Sequence, residues 1–435
     1  MIDIKKYLKK LKKIGFGQVF SAFAINKIIA FVTNFLIVRF LTKSDYGLFS
    51  SAFNIYSFFN VYTGLGMLSS ELLFCTEKRS PIEKKAIYKY TLLCGFFADV
   101  IMGIVMIIYG MSEFIALPES RPLIIQFAGL LVFEYIMQYF LVYYRTKIDN
   151  KKFSVLSIIN SSLYLLFGSL GAVIFGATGT IVGRYLAMII PIMISLYWMK
   201  NDITDIKNKE RISNQIKTEV WLYATKSGAS SFLNHIIYLI DVAIISYIIS
   251  DSEIIASYKF ATLIPEGLIF IPQAIIVTII PHYLNNINNP KWLRNNTKTL
   301  FWGMDIFNLF ITIGLIVATP LIVKIIGGAK YADSMGYFRI LSISYFFLAT
   351  FRLFSTNLLA IFRKTTFNLI AAGVNGVINI ILDLVLIKFY GATGAAWATT
   401  ISVILVSFIS FPYLLHVIYS KRLEPQLVSK DNVSD

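Results

Sequence analysis

The sequence predicts an all-α polytopic membrane protein, with twelve transmembrane helices in two parallel six-helix repeats. Three observations predict it. Of 435 residues, 57% are hydrophobic and only 15% charged, where a soluble domain carries about 25% charged. Apolar runs of about 20 residues recur along the whole chain, each able to cross a hydrocarbon core of ~30 Å. The tetrapeptide Gly-Ala-Thr-Gly occurs twice, starting at Gly176 and at Gly391. Asn160 and Asn375 each precede their copy by 16 residues, and Phe153 and Phe367 lie 214 residues apart where the two copies lie 215 apart. An in-register turn with a matching helix before it points to an internal duplication.

The runs are long and apolar on all sides, which implies helices rather than the short alternating strands of a barrel. The first span, 16–41, follows the basic run Lys5, Lys6, Lys9, Lys10, Lys12 and Lys13. Its apolar segment is longer than a signal-peptide core and no small-residue cleavage site follows, so it is expected to stay as a membrane helix. The next five spans are 46–74, 87–110, 121–143, 153–175 and 179–199. The second set is 219–249, 254–281, 298–326, 336–361, 367–389 and 393–418. Pro265, Pro272 and Pro281 punctuate the eighth span. Each proline removes a backbone donor, so a bent helix is expected there.

The positive-inside rule orients the chain. With the N-terminus in the cytoplasm, most of the 40 Lys and Arg fall in inner loops and tails. Only Lys43, Arg121 and Lys330 fall in outer loops. Both termini are therefore expected inside. The polar stretch 200–218 reads as a cytoplasmic linker between an N-lobe (1–199) and a C-lobe (219–418), with a cytoplasmic tail over 419–435. An even number of spans per half makes the repeats parallel, a plan in which the substrate path runs between the halves.

The net charge of +16 does not signal nucleic-acid binding, because the basic residues sit between apolar segments as topology determinants. Cys75 and Cys94 cannot make a disulfide framework and lack metal-ligand spacing. No phosphate loop or His-Glu-x-x-His motif is present. The three histidines, His235, His282 and His416, are scattered. No catalytic residue, metal or cofactor is expected. The outer loops are too short for an enzyme acting on an extracytoplasmic substrate.

The informative residues are charges inside the spans, where one ion at a helix centre costs ~2.5–3.5 kcal/mol on insertion scales. Lys27 and Arg352 fall near mid-depth, Lys226 toward the cytoplasm, and Lys259 and Arg184 toward the outside. These five are the candidate substrate-binding cations, since Arg and Lys suit phosphate. The alternative for each is a structural pair with an acid, or snorkelling for those near a span end, Arg184 among them. Glu134, Glu266, Asp241 and Asp99 are candidate coupling carboxylates, with structural pairing again the alternative.

The segment Asn379-x-x-x-Asp383 followed by Tyr390-Gly-Ala-Thr-Gly-Ala-Ala-Trp-Ala-Thr resembles the penultimate-helix signature of polysaccharide-export proteins in the MATE-like (MOP) superfamily. Phe40-Leu-Thr-Lys-Ser-Asp-Tyr-Gly-Leu-Phe-Ser is similar to that family's first extracytoplasmic turn, and Ile240-Asp241 with Tyr258 to the equivalent region of the second half. Pro281 also falls where such proteins have one. The resemblance covers nearly the whole chain. It implies a MATE-like fold of two lobes around a central cavity, and a flippase in the bacterial inner membrane. The implied cargo is undecaprenyl-diphosphate-linked oligosaccharide, such as an O-antigen repeat unit. It implies contact with membrane lipids and leaves room for other polysaccharide-assembly membrane proteins as partners. The alternatives are an ion-coupled multidrug or metabolite antiporter of the same fold and a membrane-embedded polymerase or ligase.

Overall fold

The computed structural model describes residues 16–200 and 213–420, and the basic N-terminal run, most of the predicted linker and the C-terminal tail lie outside them. The described residues are helical throughout, with no strand among them. In chain order the helices are α1 (Phe16–Phe40), α2 (Lys43–Asn60), α3 (Met67–Thr76), α4 (Pro81–Met111), α5 (Arg121–Thr146) and α6 (Asn150–Trp198). They continue with α7 (Asn214–Ile249), α8 (Ser252–Leu268), α9 (Phe270–Asn285), α10 (Pro290–Ile326), α11 (Met335–Phe347), α12 (Leu353–Ile361) and α13 (Thr365–Tyr419). Each of the twelve predicted spans falls on helix. Among the described residues, eight helical stretches are long and apolar enough to cross a membrane on their own. Two of them, α6 and α13, hold two predicted spans each, and the predicted span 46–74 is interrupted at Thr63–Gly66.

Local sequence sets the helix starts. Thr42 accepts the Asp45 N–H at the head of α2. Ser80 and Glu83 form a reciprocal capping box before Pro81. Asp149 accepts the Lys152 N–H, and Ser213, within the predicted linker, caps α7 by accepting the Ile216 N–H. Lys330 closes α1 at its other end: its ammonium donates to the carbonyls of Val38 (3.1 Å) and Leu41. A cation there complements the partial negative charge of a helix C-terminus.

The duplicated tetrapeptides make two matching turns. At Gly176 the backbone has φ 61° and ψ −140°, and at Gly391 φ 59° and ψ −144°, a region open essentially to glycine alone. Both α6 and α13 fold back on themselves there. A Cβ added at Gly183 would strike the Phe167 carbonyl, one at Gly171 the Gly179 carbonyl, and one at Gly394 the Leu386 carbonyl. In a straight helix, residues 167 and 183 would be about 24 Å apart at 1.5 Å per residue. Small residues let the two arms of each hairpin approach backbone to backbone.

The described chain packs as two units. One holds the residues up to Phe260 together with Ile325–Tyr331; the other holds Ala261–Lys324 and the residues from Ala332 onward. The seventh predicted span, α7, thus packs with the first unit, because α2 and α3 lie along it. Ser44 and Ser252 hydroxyls are 3.1 Å apart, Asn54 donates to the Leu239 carbonyl at 3.0 Å, and Ser70 donates to the Val220 carbonyl at 2.9 Å. Arg79 reaches Glu219 at 3.4 Å.

The core of the first unit is a run of buried tyrosines on α5. Tyr135 donates to the Thr91 carbonyl (2.5 Å), Tyr139 to the Tyr88 carbonyl (3.2 Å) and Tyr144 to the Ser195 carbonyl (3.4 Å). A phenol in hydrocarbon needs such an acceptor. In the second unit, α8 gives way to α9 between Pro265 and Pro272. Pro272 has no N–H to offer the Leu268 carbonyl, and α8 ends at Leu268. A π-turn at Leu348–Arg352 joins α11 to α12. Phe301, Phe351, Phe354 and Phe411 pack around it with ring centroids 4.5–5.8 Å apart.

Candidate transport site

In the first unit the charged residues sort into two groups on two faces of α5, one toward α6 and one toward α4. Glu134 takes one side. It receives Arg184 Nη2 of α6 at 3.0 Å and Gln138 Nε2 at 2.8 Å. The Arg184 guanidinium lies 4.8 Å over the Tyr164 ring. Two predicted site residues are thus brought together as an ion pair, and Arg184 points inward to a partner instead of snorkelling to the membrane edge.

Tyr135, the next residue, faces the other side. Its ring fills the space over Gly64 and Gly95, where an added Cβ would collide with it. Gly64 lies in a break between α2 and α3, a short 3₁₀ turn over Thr63–Gly66. Its N–H donates to Asp99 Oδ1 of α4 at 2.8 Å. Asp99 is 1% exposed, and its second oxygen is buried without a hydrogen-bond partner. Among the described residues no cation pairs with it.

Below the same tyrosine lies a carboxyl outside the predicted set. Glu71 on α3 is fully buried. Thr91 donates to its Oε2 at 3.0 Å, and its Oε1 has no partner. The sequence reading ran the second span straight through 46–74, which left Glu71 at its edge. The signal that could have found it was Gly64-Leu65-Gly66, a pair of glycines that interrupts the span before Glu71 is reached.

The other predicted residues are more dispersed. Lys27 is exposed on α1, with its ammonium 5.6 Å from the Phe23 ring centroid. Its neighbour Asn26 turns inward to Ser157 at 3.0 Å. Lys226 on α7 is exposed and Lys259 on α8 is half-buried. Asp241 accepts the Tyr258 hydroxyl at 3.0 Å. In the second unit, Glu266 is exposed and Arg352 is half-buried at the end of the π-turn. Among the described residues Lys27, Lys226 and Arg352 form no ion pair. The π-turn is held by Thr350, whose hydroxyl receives Asn308 Nδ2 at 3.2 Å, with Tyr345 donating to the same Asn308 at 3.2 Å. π-turns inside α-helices recur at functional positions. Asn375, Asn379 and Asp383 of the signature helix are all buried in this unit.

Long apolar helices with duplicated Gly-turn hairpins, a broken span and buried charge define a multi-pass α-helical membrane protein. The chain belongs to the family of polysaccharide biosynthesis proteins, whose sequence pattern matches residues 36–336. An uncharacterized membrane protein of Methanocaldococcus jannaschii is 28% identical over 297 residues, which make up 66% of each chain, just under two thirds of that relative's length. The fold is similar to that of the lipid II flippase MurJ in an inward closed conformation, with a TM-score of 0.71 at 17% identity over 92% of this chain and 87% of that one. It is also similar to an inward-facing multidrug resistance MATE transporter of the MOP superfamily, with a TM-score of 0.68 at 13% identity over 90% and 94% of the two chains. A MOP superfamily transporter from Pyrococcus furiosus, described by a reversed polarity of its binding pocket, gives a TM-score of 0.58 at 12% identity over 92% and 94%. These likenesses establish the fold.

Proposed function

We propose that the chain is a flippase that carries an undecaprenyl-diphosphate-linked oligosaccharide, such as an O-antigen repeat unit, from the cytoplasmic to the outer face of the bacterial inner membrane. Both termini lie in the cytoplasm, and an N-lobe (1–199) and a C-lobe (219–418) alternate access to the cargo while its lipid tail stays in the bilayer. The observation that carries this reading is the set of cations in predicted spans that have no acid partner among the described residues, Lys27, Lys226 and Arg352, in a member of a polysaccharide biosynthesis family. A cation left unpaired by the protein is available to a diphosphate. Lys259, half-buried on α8, is a further candidate cation for the cargo. Arg184, paired to Glu134 through Nη2, is a candidate only through its remaining donors. Asp99, Glu134, Asp241 and Glu266 are the carboxyls through which an ion gradient would act.

The second reading, an ion-coupled antiporter of the same fold, is favoured by the buried carboxyls Asp99 and Glu71, which suit a cationic cargo. One experiment separates the two. The gene is deleted in its host, surface polysaccharide is measured, and the strain is complemented with wild type, Lys27→Ala or Arg352→Ala at matched expression. The flippase reading expects polymer lost on deletion, restored by wild type, and reduced at least tenfold by either variant. Unchanged polymer on deletion would favour the antiporter. Full rescue by both variants would remove Lys27 and Arg352 from the cargo path.

A further inference from the structure

The break in the second span re-routes the helical hydrogen bonds around Gly64, and side chains take up the one between Gly64 and Asn60. In a continuous helix the Gly64 N–H would bond the Asn60 carbonyl. Here neither group has the other. The N–H goes to Asp99 Oδ1 at 2.8 Å. The Asn60 carbonyl receives the Thr63 hydroxyl at 2.5 Å, a hydroxyl that also lies 2.7 Å from Asn60 Oδ1. Both ends of the missing helical bond are thus satisfied by side chains placed for the purpose.

The broken form carries a cost. Gly64 (φ 60°, ψ 18°), Leu65 (φ 49°, ψ 34°) and Gly66 (φ 82°, ψ 5°) are consecutive left-handed residues. Leu65 is not glycine, and a left-handed conformation is strained for such a residue. The compensation comes from the Gly64 N–H bond to a carboxylate, since a charge-assisted bond is about twice as strong as a neutral one.

We propose that Asp99 is a proton-binding site that switches span 2 between this broken form and a continuous helix. A proton taken up from water forms an O–H bond at Asp99 Oδ2, the buried oxygen that has no partner. The carboxyl becomes neutral and its hold on the Gly64 N–H weakens, while the strain at Leu65 is unchanged. The N–H returns to the Asn60 carbonyl, and Thr63 turns away. The groups around Asp99 leave its charge free to act in this way. Tyr56 of α2 and Tyr135 of α5 are the titratable side chains that sense it. Glu71 of α3 lies beyond Tyr135, reached through Thr91. The α7 backbone approaches at Ala224, against Gly66. No Lys or Arg pairs with Asp99 among the described residues. The moving part would be α3, which carries Glu71 and is tied to α7 through Ser70 and Val220.

The switch deepens the ion-coupling role proposed for Asp99 and depends on that reading only for its link to transport. Its test uses the full chain in lipid nanodiscs, with Cys75 and Cys94 replaced by serine and spin labels at Thr76→Cys and Lys151→Cys. The label-to-label distance is read in mildly acidic and in alkaline buffer. The wild-type background is expected to shift by several ångströms between the two. Asp99→Asn should give the acidic distribution in both. Thr63→Val, which frees the Asn60 carbonyl, should move the alkaline population toward the acidic one. A wild type that does not shift, an Asp99→Asn variant that still shifts, or a Thr63→Val variant identical to wild type in both buffers would each overturn the switch. No cargo is needed, so a failed flippase reading shows up separately, as unchanged polymer in the deletion strain.

Discussion

Arg184→Met is expected to destabilise the folded protein by about 3–5 kcal/mol, the usual effect of removing one partner of a buried ion pair. The two side chains are 24% and 11% exposed and meet at 3.0 Å. Without Arg184, the Glu134 carboxylate would keep only the Gln138 amide as a donor. Glu134→Gln in the same chain removes the uncompensated charge, so the double variant should recover most of the loss. Thermal midpoints of the detergent-solubilised protein, followed by size exclusion, read this directly. A single variant as stable as wild type would show that the pair contributes nothing to the fold. Lys27→Met is the comparison. Lys27 is exposed and unpaired, so it should leave the midpoint unchanged and lower only polymer output. Arg184 would then be mainly a structural cation, and Lys27 a residue of the cargo path.

The second large effect concerns the hairpins. Gly183→Val and Gly394→Val are each expected to abolish folded protein. The atoms an added Cβ would meet are the Phe167 carbonyl group and the Leu386 carbonyl group. Backbone cannot step aside as a flexible side chain can, so overpacking here should exceed the usual 1–3 kcal/mol. Gly303→Ala and Gly314→Ala serve as controls on α10, because a Cβ at either meets nothing within 4 Å. They should be neutral, or stabilising by up to about 1 kcal/mol through helix propensity. Membrane yield of tagged protein separates the outcomes. Wild-type yield from either valine variant would mean that the arms can separate without loss.

The twelve spans and the two hairpins were legible because each leaves a local mark, an apolar run or a repeated Gly-Ala-Thr-Gly. What a charge touches leaves no such mark. Glu134 and Arg184 meet because α5 and α6 are neighbours, and nothing within either helix encodes the partner. The break at Thr63–Gly66 escaped because hydropathy runs through it without a dip. It left Glu71 outside the candidate set and hid the bond from Gly64 to Asp99. The placement of α7 beside α2 and α3 was missed for a similar reason. It rests on serines, an asparagine and backbone carbonyls, which have no signature in composition.

That placement also sets a schedule. Ser51, Asn54 and Ser70 belong to the second span, while their partners Ser246, Leu239 and Val220 are made 150–195 residues later. At about 5–20 residues per second, the ribosome needs on the order of 10–40 s to cover that separation. For that interval the second span waits with polar side chains that the seventh will later satisfy. Until the seventh helix arrives, the serines of that stripe can turn back onto their own helix carbonyls, as Ser57 does onto Phe53, whereas Asn54 needs water, lipid or another protein to meet its amide.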